Sequence, residues 1–254
     1  MMDQISTLGG VRPPAPAASV TGEWRRYAGF LRRPAVPDRA TGLNAGSLAA
    51  TLRLLLLDYA LMAVLLTVGI VAYAAGVEFP ENQLESLAWS AGVLALIVLI
   101  APVTEEVMFR SWLSGRPGHL LAVLALGGGA WVLNANAAAG RQADAGALLA
   151  LLVTVAVAAG GIYALRQRGP LPWFAKAFPV FFWLSALGFA AIHIWNYMEG
   201  GGGLVFLLVI PQLIAGTIFA YARVNYGLWS AIALHMLHNG TAVALALSMG
   251  EVMG

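Results

Sequence analysis

Seven long apolar stretches follow one another along this chain, and short polar connections separate them. Each stretch is close to the roughly 20 residues that a helix needs to cross a bilayer. The third is the weakest, because glycines 127–129 and two asparagines, Asn134 and Asn136, dilute it. The pattern predicts an all-α polytopic membrane protein of about seven transmembrane helices. The stretches lie at about 50–76, 87–114, 119–137, 146–165, 178–197, 203–222 and 228–248.

The composition supports a membrane protein and removes several classes of site. Hydrophobic residues make up 60% of the chain and charged residues 10%, whereas a soluble domain carries roughly 25% charged residues. There is no cysteine, which excludes disulfides, thiolate catalysis, iron–sulfur clusters and cysteine-based zinc sites. The net charge of +2 comes from basic residues near membrane ends and in the N-terminal segment, so no nucleic-acid partner is predicted.

The N-terminal segment, residues 1–47, is rich in Gly, Pro and Arg and contains no apolar run. It is predicted to form a flexible cytoplasmic arm, and residues 48–254 are predicted to form the membrane domain. From Trp24 to Arg33 the arm interleaves aromatic residues with arginines, which is typical of a segment that lies on an anionic membrane surface. A solvated basic arm that only sets the topology is the alternative.

The lysines and arginines predict the orientation of the chain in the membrane. With the N-terminus in the cytoplasm, all fourteen of them except Arg141 lie on the cytoplasmic side. We therefore expect a multi-pass protein of the cell inner membrane, with its N-terminus cytoplasmic and its C-terminus outside. The outer connections are acidic instead and carry Glu78, Glu81, Glu85, Asp144, Glu199 and Glu251.

Two adjacent glutamates, Glu105 and Glu106, lie within the second apolar stretch. Carboxylates are costly at membrane depth, which makes the pair a candidate functional site. Glu106 and Arg110 are four residues apart in the favourable acid-before-base order, so they are predicted to pair on one helix face. Glu105 is then left as the reactive carboxylate. A buried ion network that only locks helices together is the alternative.

Two further clusters of polar residues lie at predicted membrane depth. Phe189 and His193 share one face of the fifth helix, and His235 and Asn239 share one face of the seventh. Helix rise, at ~1.5 Å per residue, allows these groups to meet Glu105 in the cytoplasmic half or the middle of the bilayer. Such a site requires a water-filled cavity that reaches it.

Other polar residues are assigned ordinary roles. His238 is a candidate to support the imidazole of His235. Asp58 is expected to pair locally or to extend toward the cytoplasmic face. His119 is expected at the membrane interface, and glycines 200–203 are expected to form a flexible outer turn.

The three clusters together resemble the signature of a known protein family. Glu105-Glu106-x-x-x-Arg110, Phe189-x-x-x-His193 and His235-x-x-x-Asn239, in that order on separate helices, are similar to the CAAX-protease and bacteriocin-processing family of intramembrane proteases, of the Ras-converting-enzyme type. The resemblance covers roughly residues 87–245. Ser111 stands where the family frequently has glycine, and the segments 119–137 and 146–165 lie where members are often more compact.

The resemblance implies peptide-bond hydrolysis within the membrane. A carboxylate in a low-dielectric cavity suits the role of general base toward water, which is assigned to Glu105, and His193 would orient that water. His235 and Asn239 would donate hydrogen bonds to the oxyanion of the tetrahedral intermediate. Supporting roles remain for three neighbouring residues, Glu106, Arg110 and Phe189.

The use of a metal is left open by the sequence. Glu105, His193 and His235 are an acceptable ligand set for a divalent metal such as zinc, with a position left for water. The same groups also suffice for metal-free catalysis, which we favour. Zincin, rhomboid-like serine and aspartyl designs are excluded, because their motifs are missing from the chain.

The sequence therefore predicts an intramembrane endopeptidase of CAAX-protease type that acts, amid membrane lipid, on membrane-associated peptides or proteins, with or without a lipid modification. Nothing in it selects prenylated substrates, and the Ala-, Gly- and Arg-rich chain looks bacterial, which favours secreted peptides or membrane-anchored fragments. Two alternatives remain open. A proton-coupled carrier could use Glu105, His193 and His235 as a relay, and a non-catalytic immunity or scaffold member could keep the same residues for packing.

Overall fold

The fold is all-α in a computed structural model that describes residues 15–83, 87–140, 144–197 and 202–253. Within these ranges eight helices follow one another, a short helical segment Val205–Leu208 precedes the seventh, and a single isolated bridge joins Asn82 to Tyr197. Predictions on residues 1–14, Glu85, Arg141, Glu199, Gly200 and Gly201 lie outside the described residues, as does the side chain of Glu251. The helices are α1 Val20–Arg32, α2 Ala45–Ala74, α3 Ala91–Ser114, α4 Pro117–Ala138, α5 Ala145–Ala164, α6 Pro172–Ile192, α7 Ile210–Asn225 and α8 Leu228–Met253.

Seven candidate membrane spans correspond to the seven apolar stretches. The glycine-rich third stretch forms one continuous helix, α4, in spite of its dilute hydropathy. The largest difference concerns the fifth span, which begins at Pro172 and not near residue 178. The predicted start is wrong because Pro179 lies inside α6, and a membrane helix accommodates an internal proline when its neighbours satisfy the freed backbone groups.

The described part of the N-terminal arm is packed, which differs from the expected flexible arm. Ser19 caps helix α1, and the fully buried carboxylate of Glu23 accepts hydrogen bonds from the Ala17 N–H at 3.0 Å and the Tyr221 hydroxyl at 2.9 Å. The Tyr226 hydroxyl donates to the same carboxylate. Burial and this hydrogen bond raise the pKa of Tyr226, which keeps the hydroxyl available as a donor. A buried carboxylate with several donors is well compensated, so it anchors α1 to the helix bundle.

One end of the bundle is held together by hydrogen bonds between its connections. The Thr41 N–H donates to the carbonyl of Asn225 at 2.9 Å, and the Leu171 N–H donates to the carbonyl of Gly115 at 2.9 Å. Arg116 donates to the carbonyls of Arg166 and Asp38. We call this the basic end, and it comprises residues 15–44, 115–116, 165–171 and 226–227. The opposite, acidic end comprises residues 75–83, 87–90, 139–140, 144, 197 and 202–203.

Helix α7 is the central helix, since every residue from Ala215 to Asn225 is buried. It packs against α2, α6 and α8. Helices α4 and α5 form a separate close pair beside α3. Their contact depends on small residues: a Cβ atom on Gly118 would lie 2.8 Å from the backbone oxygen of Gly161. Small residues at such contacts let membrane helices approach closely.

Gly118→Ala should destabilise the protein, because the new methyl group meets the backbone of α5 and the two helices must separate. We expect a loss of about 1–3 kcal/mol, as for other overpacked sites, seen as a lower melting temperature in detergent. Gly127→Ala is the matched control on the same helix, because a Cβ atom there meets nothing within 4 Å. Equal melting temperatures for the two variants would contradict this packing.

Candidate active site

Helix α3 is interrupted by a π-helical turn, Leu96–Ile100, just before the glutamate pair. The Ala101 N–H donates five residues back to the Leu96 carbonyl. In the same five-residue pattern, residue 102 would donate to the Ile97 carbonyl. Residue 102 is a proline, however, and has no N–H to donate. The side-chain amide of Asn239 donates to Ile97 at 3.0 Å instead. The π turn and Asn239 therefore fix α3 against α8, and π turns are frequent at functional sites.

Glu106 and Arg110 form the ion pair that their spacing predicts. Both side chains are fully buried, and Arg110 Nη1 donates to Glu106 Oε1 at 2.9 Å. The guanidinium lies 3.9 Å from the ring centre of Phe189, a cation–π contact. A Cβ atom on Gly216 would be 3.1 Å from both Arg110 Nη2 and the Phe189 ring. The absence of a side chain at Gly216 therefore allows the cation to pack between α3, α6 and α7.

His235 connects the two glutamates. Its Nδ1 lies 3.0 Å from Glu106 Oε1, and because a carboxylate only accepts, Nδ1 is the donor. Its Nε2 faces Glu105 Oε2 at 3.7 Å, which is too long for a direct hydrogen bond. The ring stacks on Phe219 with centroids 4.9 Å apart. His235 is thus held on one side and presents its other nitrogen to Glu105.

Glu105 differs from Glu106 in its surroundings. Its side chain is 23% exposed, while that of Glu106 is fully buried. Glu105 Oε2 receives no hydrogen bond from the described part of the protein. The structure therefore pairs Glu106 with Arg110, as the spacing predicts, and leaves Glu105 Oε2 without a hydrogen bond.

His193 begins the 3-10 turn His193–Asn196 that ends the fifth span. Its Nδ1 donates to the Phe189 carbonyl at 2.7 Å, so Nε2 is the nitrogen left for other partners. The ring centres of His193 and His235 lie 4.6 and 5.5 Å from that of Phe189. One aromatic ring therefore contacts both histidines, although His193 lies just beyond the C-terminal end of α6.

A cavity of about 710 Å³ contains the predicted site residues. Glu105, His193, His235 and Asn239 all line it, together with Phe189. The wall also carries apolar and amide side chains, among them Ile97, Asn196, Gln212, Ala242 and Val243. The three clusters therefore converge on one cavity, as the sequence predicts. Its lining residues extend from the middle of the spans toward the acidic end.

Sequence reasoning missed a second buried pair at this cavity. Asp58 on α2 is fully buried, and its Oδ2 lies 2.7 Å from Nδ1 of His238, which lines the cavity. The expected local pairing of Asp58 near the cytoplasmic face is wrong. His238 is oriented by Asp58, and none of its described contacts supports His235. The only signal in the sequence was an aspartate in the middle of an apolar stretch, which requires a partner.

His119 lies apart from the cavity. Its Nδ1 is 2.6 Å from Ser114 Oγ and 3.4 Å from Arg223 Nη2, close to the basic end. His119 does not line the cavity, so a variant at this position is a suitable control for variants of the cavity histidines.

The donor set does not fit a three-ligand metal site in this geometry. Among the residues that the structure describes, no group of three or more His, Cys, Asp or Glu side chains could hold a metal ion. Glu105 and His235 face each other, but His193 does not complete the set. The metal role considered for Glu105, His193 and His235 stays a prediction.

Comparison with known proteins gives one match. A protein-family model described as type II CAAX prenyl endopeptidase, Rce1-like, matches residues 87–241. This range contains the three motifs and ends before the last turns of α8, and it does not include Asp58. Neither the curated proteins nor the solved structures contain a match to the chain.

Glu106→Gln should destabilise the fold strongly, because the buried Arg110 guanidinium loses its carboxylate partner. Breaking a buried ion pair from one side costs about 3–5 kcal/mol. Glu105→Gln is the adjacent control and should change stability little, since this side chain is partly exposed and is not the salt-bridge partner of Arg110. Thermal unfolding in detergent measures both, and equal losses would refute the division of roles.

Proposed function

This chain belongs to the Rce1-like family of type II CAAX prenyl endopeptidases, and we propose that it is an intramembrane endopeptidase. It hydrolyses peptide bonds of membrane-associated peptides or proteins by means of a glutamate-activated water. The observation that carries the proposal is the free, partly exposed carboxylate of Glu105, which faces His235 across a cavity that His193 also lines.

Glu105 is the general base in this proposal. It removes a proton from a water molecule, whose oxygen attacks the carbonyl carbon of the scissile peptide bond. The proton then passes to the leaving amine as the carbon–nitrogen bond breaks. General-base catalysis of this kind contributes roughly 10²–10⁴-fold. His193 suits the orienting role, because its Nδ1 donates to the Phe189 carbonyl and a neutral ring then accepts a hydrogen bond from water at Nε2.

His235 and Asn239 are the proposed oxyanion donors. The Asn239 amide has two N–H groups, and one of them is used by the Ile97 carbonyl, so the second is left for the substrate. His235 donates from Nε2 only when both ring nitrogens carry a proton. Glu106 accepts from Nδ1, and Glu105 lies near Nε2, so two carboxylates are placed to balance this cation. Arg110, Glu106 and Phe189 position these groups.

The reaction is proposed to need no metal, since the side chains above supply the base, the water orientation and the oxyanion donors. Substrates are proposed to be secreted peptides or membrane-anchored fragments, with or without a lipid group. The membrane is proposed to be the cell inner membrane, with the N-terminus cytoplasmic and the C-terminus outside. A carrier that uses the same groups as a proton relay, or a non-catalytic relative, is distinguished by the experiment below.

Glu105→Gln and His193→Ala should each abolish cleavage of a quenched peptide library by the purified protein, with losses of roughly 10²–10⁴-fold for the base. His119→Ala is the matched control, because this histidine lies outside the cavity and should leave the turnover number unchanged. If the wild type cleaves the peptides no faster than Glu105→Gln does, the peptidase proposal is wrong, and the carrier or the non-catalytic hypothesis replaces it.

Removal of metal should leave the activity unchanged. The purified enzyme is dialysed against a chelator, its metal content is measured, and the same sample is assayed. We expect full activity with far less than one metal ion per chain. Activity that is lost with the metal and restored by zinc alone would overturn the metal-free proposal, and Glu105, His193 and His235 would then be reconsidered as ligands.

A further inference from the structure

The cavity extends toward one end of the helix bundle, the acidic end. On α3 its lining runs from Glu105 through Ala101 to Ile97, and on α8 it runs from His235 to Ala246. Both series lead from the middle of a span to the acidic end. Residues from the acidic-end connection between α2 and α3, Asn82 and Trp89, also line it, whereas no lining residue belongs to the basic end.

The floor of the cavity is sealed toward the basic end. Beneath Glu105 lie the buried pair of Glu106 and Arg110. Below them, Arg223 donates to the carbonyls of Arg110 and Ser111 at 3.0 and 2.8 Å. Buried aromatic and aliphatic side chains pack together between α3, α6 and α7 at this level, namely Leu113, Phe174, Phe178, Phe182 and Val224. A peptide therefore has no route to Glu105 through this end.

The charges of the two ends are opposite. Within the described ranges, every basic residue except Arg110 lies at the basic end or in the adjoining helix turns, and the acidic end carries Glu78, Glu81 and Asp144 with no basic residue. Lysines and arginines in short connections concentrate on the cytoplasmic side of a membrane protein. The sealed end is thus the cytoplasmic end. The basic residues concerned are Arg25, Arg26, Arg32, Arg33, Arg39, Arg53, Arg116, Arg166, Arg168, Lys176 and Arg223.

We infer that the cavity opens to the non-cytoplasmic side of the membrane and that its substrate is a peptide segment exposed on that outer face. The identity of the occupant as a substrate rests on the proposed function, but the direction of access does not. The walls suit an extended, uncharged segment. Ala242, Val243 and Ala246 offer apolar contact, and the buried Oε1 of Gln212 receives no hydrogen bond from the described residues and can accept one from a peptide N–H.

The absence of cysteine from the chain allows a direct test. Single-cysteine variants are exposed to a membrane-impermeant maleimide, first in intact spheroplasts and then after lysis. Ala246→Cys reports the cavity wall, Glu78→Cys the acidic end, and Gln167→Cys an exposed position of the basic end. We expect labelling of Ala246→Cys and Glu78→Cys in intact cells, and labelling of Gln167→Cys only after lysis. Labelling of Ala246→Cys only after lysis, or under neither condition, would overturn the inference.

A second measurement separates this inference from the proposed function. A membrane-impermeant quenched peptide is added outside intact spheroplasts that carry either the wild type or Glu105→Gln. Cleavage by the wild type alone, from outside, supports both proposals. Cleavage that appears only in inside-out vesicles overturns outward access and leaves the peptidase intact. Outward labelling of Ala246→Cys without any Glu105-dependent cleavage supports outward access and overturns the peptidase.

Discussion

A guanidinium that is fully buried at membrane depth is the constraint on which the rest of this site depends. An isolated charge there is very costly, so Arg110 is stable only while all of its partners are in place. Glu106 lies on α3, the same helix as Arg110, and Phe189 lies on α6. Helix α7 approaches the guanidinium closely at Gly216. His235 of α8 joins through Glu106. The cation therefore aligns four helices, and the position of Glu105 beside His235 follows from that alignment.

Much of the fold could be predicted from the sequence, because hydropathy over some twenty residues is a strong signal for a membrane span. The failures have local causes. The fifth span begins earlier than predicted, and Pro179 is accommodated inside α6. Helix α1 was missed because its anchor, Glu23, is a buried acid in a polar segment, and an apolar pattern cannot indicate that such a side chain is buried.

The site was predictable where its chemistry is local. The pairing of Glu106 with Arg110 follows from a four-residue spacing within one helix, and the polar residues on α6 and α8 stood out against an apolar background. The contact between Asp58 and His238 joins helices far apart in the chain, so no spacing rule could suggest it. The cavity that extends toward the acidic end is lined by side chains of four helices, so it is a property of packing and not of any single segment.

The π turn in α3 also separates that helix into two rotational frames. Each residue of an α-helix advances the side-chain direction by about 100°. The extra residue in the Leu96–Ile100 turn therefore rotates the side chains before the turn, about the helix axis, relative to the glutamates after it. An indel of one residue in this turn would leave hydropathy and length almost unchanged while it swung the carboxylates away from the histidines. The spacing between Ser90 and Glu105 is therefore part of the centre, in the same way as the glutamates themselves.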